Sequence, residues 1–174
     1  MLELFYKTGD NTSTKTLLPE IEHFYKDNGK YLGPTELDYT LILLIRAYIT
    51  LEQFTQAQYW LNRWYEVDDV EVSLNLIKLL SMIIYYELGY FPLLESECES
   101  AYKMLRKRNR LGKLENEFIR FFKKISRSAS EAQVHQQFDT FHEKLLAIGK
   151  DPSENMLFEY FDFTSWTAGK ISNS

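Results

Sequence analysis

The stretch 37–64, LDYTLILLIRAYITLEQFTQAQYWLNRW, constrains the fold more than any other part of the chain. Leu37, Leu41, Leu44, Ile45, Tyr48 and Leu51 recur at steps of three and four, the spacing that lines one face of a helix. Ile42, Leu43, Ala47 and Ile49 widen that face, so both sides of the helix are expected to meet neighbours. A strand ending at Arg46 would leave Tyr48 and Leu51 unexplained. A helix capped by Thr35, after a break at Pro34, accounts for them. Phe54, Ala57, Leu61 and Trp64 line a second helix, with Trp60 and Tyr65 beside them. The short connection forces the two helices to be antiparallel neighbours, a pair over about 35–66. Small Ala57 suits the close approach of their backbones. The apolar run falls well short of the roughly 18–20 residues that a membrane span needs.

The same periodicity predicts helices along the rest of the chain. An N-terminal helix is expected over about 14–28, capped by Thr12 or Thr14, with Leu17, Leu18, Ile21, Phe24 and Tyr25 inward and a stop at Asn28-Gly29. A second pair spans about 70–108. Asp68 or Asp69 caps its first helix, Gly89 marks its turn, and Pro92 opens a helix that buries Leu94, Cys98, Ala101, Tyr102 and Leu105. A third pair spans about 111–148, starting from an Asn109 cap. Its apolar sides are Leu114, Phe118, Phe121, Phe122 and Ile125, then Val134, Phe138, Phe141, Leu145 and Ile148. A final helix over about 152–168 caps the last pair with Leu157, Phe158, Phe161 and Trp166. The opening MLELFYK reads as the last turns of a helix, and the whole chain as one domain that a longer protein can contain. With 12 Tyr, 12 Phe and 3 Trp, aromatic rings are expected to fill the helix–helix seams.

Two hairpins echo one another. Tyr48 and Phe54 recur as Tyr85 and Phe91, each 37 residues later, and the turn position Glu52 becomes Gly89. The segment AYITLEQFTQAQYWLNRW resembles a tetratricopeptide repeat, with Ala47, Tyr48, Phe54, Ala57 and Leu61 matching the family's order of small and aromatic residues. It departs from that order at Ile45, Glu52 and Trp64, where the family has small residues, and its 37-residue spacing exceeds the family's period of about 34. The segments LENEFIRFFKKI, HEKLLAI and DPSENMLFEYFDFTSWTAGKI resemble the C-terminal part of a group of bacterial, Bacteroidetes-type tetratricopeptide-like proteins. The resemblance implies an all-α fold: antiparallel helix pairs stacked in a right-handed superhelix and closed by a C-terminal capping helix. It also implies a protein-interaction or scaffold module without catalysis, binding a peptide or a helix. Helix-A residues such as Asp38, Ile42, Arg46, Ile49, Asn75, Lys78 and Leu79 would line its concave face, with Arg46, Asn75 and Lys78 as partner contacts.

Charge marks a second candidate surface. The formal net charge is −5, which argues against general nucleic-acid binding. Yet residues 103–127 hold ten Lys or Arg against two Glu, a local net of +8. Arg106, Lys107, Arg108, Arg110 and Lys113 surround one inter-helix turn. Such a turn suits an acidic protein partner or a nucleic-acid backbone. It also suits the plain role of a solvated turn with cations near a helix C-terminus. His135, Asp139 and His142 lie at i, i+4 and i+7, a spacing that can offer ligands to a metal but equally describes a solvated helix side. The Asp68, Asp69 and Glu71 cluster and the Glu95, Glu97 and Glu99 cluster sit at helix starts, where the macrodipole favours acids. No phosphate loop, CxxC pair or HExxH is present, so the sequence assigns no catalytic, cofactor-binding or metal-ligating residue. A single cysteine cannot form an internal disulfide, and no basic region followed by an apolar core opens the chain. A cytoplasmic setting is therefore expected.

Overall fold

Most of the α-helices follow the three-and-four spacing of the sequence. In a computed structural model, which describes residues 11–67, 73–127 and 130–172, the regular structure is entirely helical. The described α-helices are α1 (Asn11–Asn28), α2 (Pro34–Thr50), α3 (Phe54–Tyr65), α4 (Leu74–Glu87), α5 (Phe91–Lys107), α6 (Lys113–Ile125), α7 (Glu131–Gly149) and α8 (Phe163–Ser172). Short 3₁₀ turns lie at Gly29–Tyr31 and Asn155–Glu159. Among the described residues, no helix is long and apolar enough to cross a membrane. The chain divides into two compact units, Met1–Leu88 and Gly89–Ser174, and the division falls at the turn inside the expected 70–108 pair.

In the first unit, α2 and α3 form the expected hairpin, α1 packs on α2, and α4 packs on both hairpin helices. Leu41, Leu44, Ile45, Ala57, Trp60, Leu61 and Trp64 are buried, as their periodicity predicts. Two carboxylates bind this unit together. Glu22 of α1 accepts hydrogen bonds from Tyr48 Oη at 2.5 Å and Trp60 Nε1 at 3.1 Å. Asp38 of α2 accepts from Trp64 Nε1 at 2.6 Å and from Ser73 Oγ. A buried indole N–H needs such an acceptor, because leaving it unpaired costs about 1–3 kcal/mol. Burial, and then the hydrogen bond to Glu22, push the Tyr48 hydroxyl above its ordinary pKa.

In the second unit, α6 packs between α5 and α7, and α8 lies on α7. Its centre is a cluster of rings. Phe118 meets Phe141 at 5.1 Å and Phe163 at 5.0 Å between centroids, both edge to face. Phe121 stacks on Phe141 at 4.0 Å, and Trp166 closes over Phe122 and Phe138. Leu94, Cys98, Ala101 and Leu105 of α5 are fully buried, and burial pushes the Cys98 thiol up to about 12.

Several local expectations change. Pro34 is the first residue of α2 rather than a break before it, and Gly33 takes the cap position from Thr35. Phe24 is 49% exposed instead of inward. Asn109 does not cap α6. Its φ of +53° ends α5, with Arg110 N–H bonding to Leu105 C=O at 2.9 Å. α6 starts at Lys113, where Glu115 Oε2 folds back to accept from Gly112 N–H at 3.0 Å. The expected single helix over 152–168 is two pieces. Asp162 interrupts it, accepting from Ser165 N–H at 2.9 Å and from the hydroxyls of Thr164 and Ser165 at 2.6 Å, and so capping α8. Burial alone would raise the Asp162 pKa, but these hydrogen bonds outweigh it and the net shift is downward. The expected start of the 70–88 helix at Val70, its Asp68 or Asp69 cap, and the MLELFYK fragment lie outside the described residues.

Candidate functional site

The second unit carries a basic groove built from two helical rows. On α6 the apolar residues Leu114, Phe118, Phe121, Phe122 and Ile125 face inward. Arg120, Lys123 and Lys124 fall on the other side, and Arg127 continues their row past the helix end. Across from them, α7 presents Gln133, Gln136, Gln137 and Thr140. Each row has the spacing i, i+3, i+4, i+7, the spacing of one helical face, with Arg127 in the turn just beyond α6. Together the eight residues line an open groove of about 760 Å³. A narrower hollow, into which Glu117 and Lys144 project, continues it along the same two helices.

Carboxylates meet both ends of the cation row. Glu117 lies 3.4 Å from Arg120 Nη1 and 2.6 Å from Lys144 Nζ, and Glu95 Oε1 lies 2.9 Å from Arg127 Nη2. Between them, Lys123 Nζ sits 5.9 Å from the centroid of the Tyr102 ring. The arginine sides of these pairs are exposed, and such surface pairs add little to stability, about 0–1 kcal/mol each, so Arg120 and Arg127 can exchange a carboxylate for an incoming anion.

The residues expected to contact a partner are placed differently from one another. Arg46 is 2% exposed and Lys78 6%, Asn75 is half-buried, and Ile42, Ile49 and Leu79 are buried too. Lys78 Nζ lies 3.3 Å from Tyr65 Oη and over its ring. A ligand reaching Arg46 or Lys78 would first have to uncover them. Arg106, Lys107, Arg108 and Arg110 are exposed, with Arg106 Nη1 donating to Tyr102 Oη at 3.2 Å. Lys107 and Arg108 line an open hollow with Lys103 at the C-terminal end of α5, where the helix dipole favours cations. Lys113 belongs to a different arrangement. Its Nζ is 2.6 Å from Asp151, and its backbone N–H donates to Glu154 at 2.9 Å. The hydrogen bond from Lys113, followed by those from Ser153, holds the Asp151 carboxyl down at about 2, so this pair stays charged at neutral pH.

His135 lies 3.7 Å from Asp139, while His142 Nδ1 is 2.7 Å from Thr167 Oγ1 of α8. The three side chains therefore do not converge, and among the described residues no group of His, Cys, Asp or Glu is arranged to hold a metal ion. The groove itself is open to inference from the sequence. Positions 120, 123, 124, 127 and positions 133, 136, 137, 140 carry one period twice, the first basic and the second amide or hydroxyl. A count of charges over 103–127 hides that period. The chain matches no family model, no curated protein and no solved structure.

Proposed function

We propose that this protein is a non-catalytic interaction or scaffold module that docks a segment of a protein partner in the basic groove between α6 and α7. The observation that carries this is the groove itself: four cations in one row across from Gln133, Gln136, Gln137 and Thr140, with carboxylates only against the arginines at its two ends. We further read its helix pairs as degenerate tetratricopeptide-like repeats, with the superhelical stacking that such repeats imply. Supporting this, Glu52 and Gly89, 37 residues apart, share a left-handed backbone at φ 57° and 70°. Fully buried Ala57 sits where helices of such a pair approach closely. A cytoplasmic setting is part of the proposal, and the lone, buried cysteine is in keeping with it.

A second reading, a nucleic-acid-associated regulatory domain, draws on the ten Lys and Arg of residues 103–127. Charge reversal separates the two. Lys123→Glu with Lys124→Glu should weaken binding of labelled acidic peptides about tenfold or more. Reversal of Arg106, Lys107, Arg108 and Arg110 should change it much less. Tight binding of a labelled oligonucleotide, lost on reversing the turn and falling steeply up to about 0.5 M salt, would overturn the protein-docking role.

A further inference from the structure

The two ends of the cation row are held by carboxylates in different ways. Glu117 belongs to α6 itself. Its closer partner is Lys144 of α7, at 2.6 Å, and its side chain is only 19% exposed. Arg120 stands further off, at 3.4 Å, with its own side chain in solvent. It can turn to an incoming anion while Glu117 stays on Lys144. Glu95 comes from another helix. It reaches from α5 to Arg127, 32 residues on in the chain, and meets Nη2 at 2.9 Å. Both side chains of this pair are open to water, at 48% and 70% exposure. The dipole of α5 does not account for Glu95, which lies beyond the first turn of that helix. What it answers is the cation in front of it.

The Glu95 carboxylate is the same chemical group that the groove is proposed to take from a partner. A guanidinium fork holds one carboxylate well, by two parallel hydrogen bonds. A second carboxylate on the same fork brings two like charges within a few ångströms of each other. Arg127 can therefore serve Glu95 or a docked acid, and not both at full strength. The exchange is within reach because the resident pair is weak. An exposed pair shifts an equilibrium by about fivefold at most. Glu95, once released, recovers its water.

We infer that Glu95 is a built-in competitor of the groove's ligand: it holds Arg127 until a carboxylate of the docking segment takes its place. The effect is a threshold. A segment that offers Arg127 no better acid than Glu95 gains nothing at that end of the row. This rests on the protein-docking role proposed for the same groove.

Fluorescence anisotropy on the full chain, with a labelled peptide rich in Glu, tests it through the parent, Glu95→Gln, Arg127→Gln and the double variant. Glu95→Gln should tighten binding about two- to fivefold. Arg127→Gln should weaken it, and in that background Glu95→Gln should change affinity by less than about 1.5-fold. Glu99→Gln removes the same charge from an exposed position one turn further along α5. It should tighten the peptide by less than about 1.5-fold. All are surface changes, so the thermal midpoints should stay close to the parent's.

No gain from Glu95→Gln would overturn the inference. So would a gain as large without Arg127 as with it, or one matched by Glu99→Gln, since either means that Glu95 acts through net charge and not by holding Arg127. In each case the docking groove stands as long as Lys123→Glu with Lys124→Glu still weakens binding about tenfold or more. Binding by none of these proteins, or binding that ignores the lysine reversal, would remove the docking role and the inference together.

Discussion

The two units use their polar side chains in opposite ways. In the first, charged groups turn inward: Asp38, Arg46 and Lys78 are all buried, and Glu22 and Asp38 receive the indole N–H groups of Trp60 and Trp64. In the second, the interior is mostly aromatic ring against aromatic ring, and the charge is sorted onto one face of α6. Similar helix periodicity thus yields one unit whose buried charges position its helices and another whose cations on α6 are presented to solvent, while Glu115, Asp162 and Thr167 fix its helix ends and the contact of α8 with α7. A buried carboxylate with two donors specifies a single geometry, because any shift strands a polar atom. A ring cluster tolerates small shifts and leaves the surface row free to evolve for binding.

The contrast can be broken at its strongest points. Phe118→Ala should remove about 3–5 kcal/mol from the second unit, since it empties the centre of the ring cluster. Urea unfolding reads this, and a loss below about 1.5 kcal/mol would mean that the cluster is not the main support. Asp38→Ala should cost the first unit about 2–3 kcal/mol by orphaning Trp64 Nε1 and Ser73 Oγ. Tryptophan fluorescence should report that loss, and Asp38→Asn, which keeps an acceptor, should recover part of it. Near-neutral behaviour of Asp38→Ala would erase the distinction between the units. The smallest effect sharpens the comparison at the turns. Glu52 carries a left-handed backbone penalty that Gly89 avoids, so Glu52→Gly should stabilise by about 0.5–1 kcal/mol. Gly89→Ala should destabilise by about 1 kcal/mol, seen in the thermal midpoint.

The existence of the helices and their inward faces are legible in the sequence, because apolar residues at steps of three and four fit a helix buried on one side and not a strand. The apolar sides of α2, α3, α5 and α6 are buried largely as their spacing predicts. The misses are at ends. Asn109 is a good helix-starting residue and also one of the few that accept φ > 0, and the sequence alone does not say which property is used. Asp162 lies inside a continuous apolar pattern, yet Thr164 and Ser165 two and three residues on supply the partners that make it a cap. Arg46 and Lys78 read as surface residues because long cations usually are, and only the packing of their helices reveals their burial. The groove escapes a reading by charge for a different reason. Its cations lie within a longer basic run, and its glutamines carry no charge to draw notice, so only their shared period links them.

The burial of Cys98 has a practical consequence. With one thiol in the chain, fully shielded and held protonated, reaction with a maleimide reagent requires the packing around α5 to open first. The labelling half-life is therefore a clock for that opening, readable without any engineered probe. Run with and without a ligand, the same clock would tell whether occupying the α6 face tightens the helix behind it.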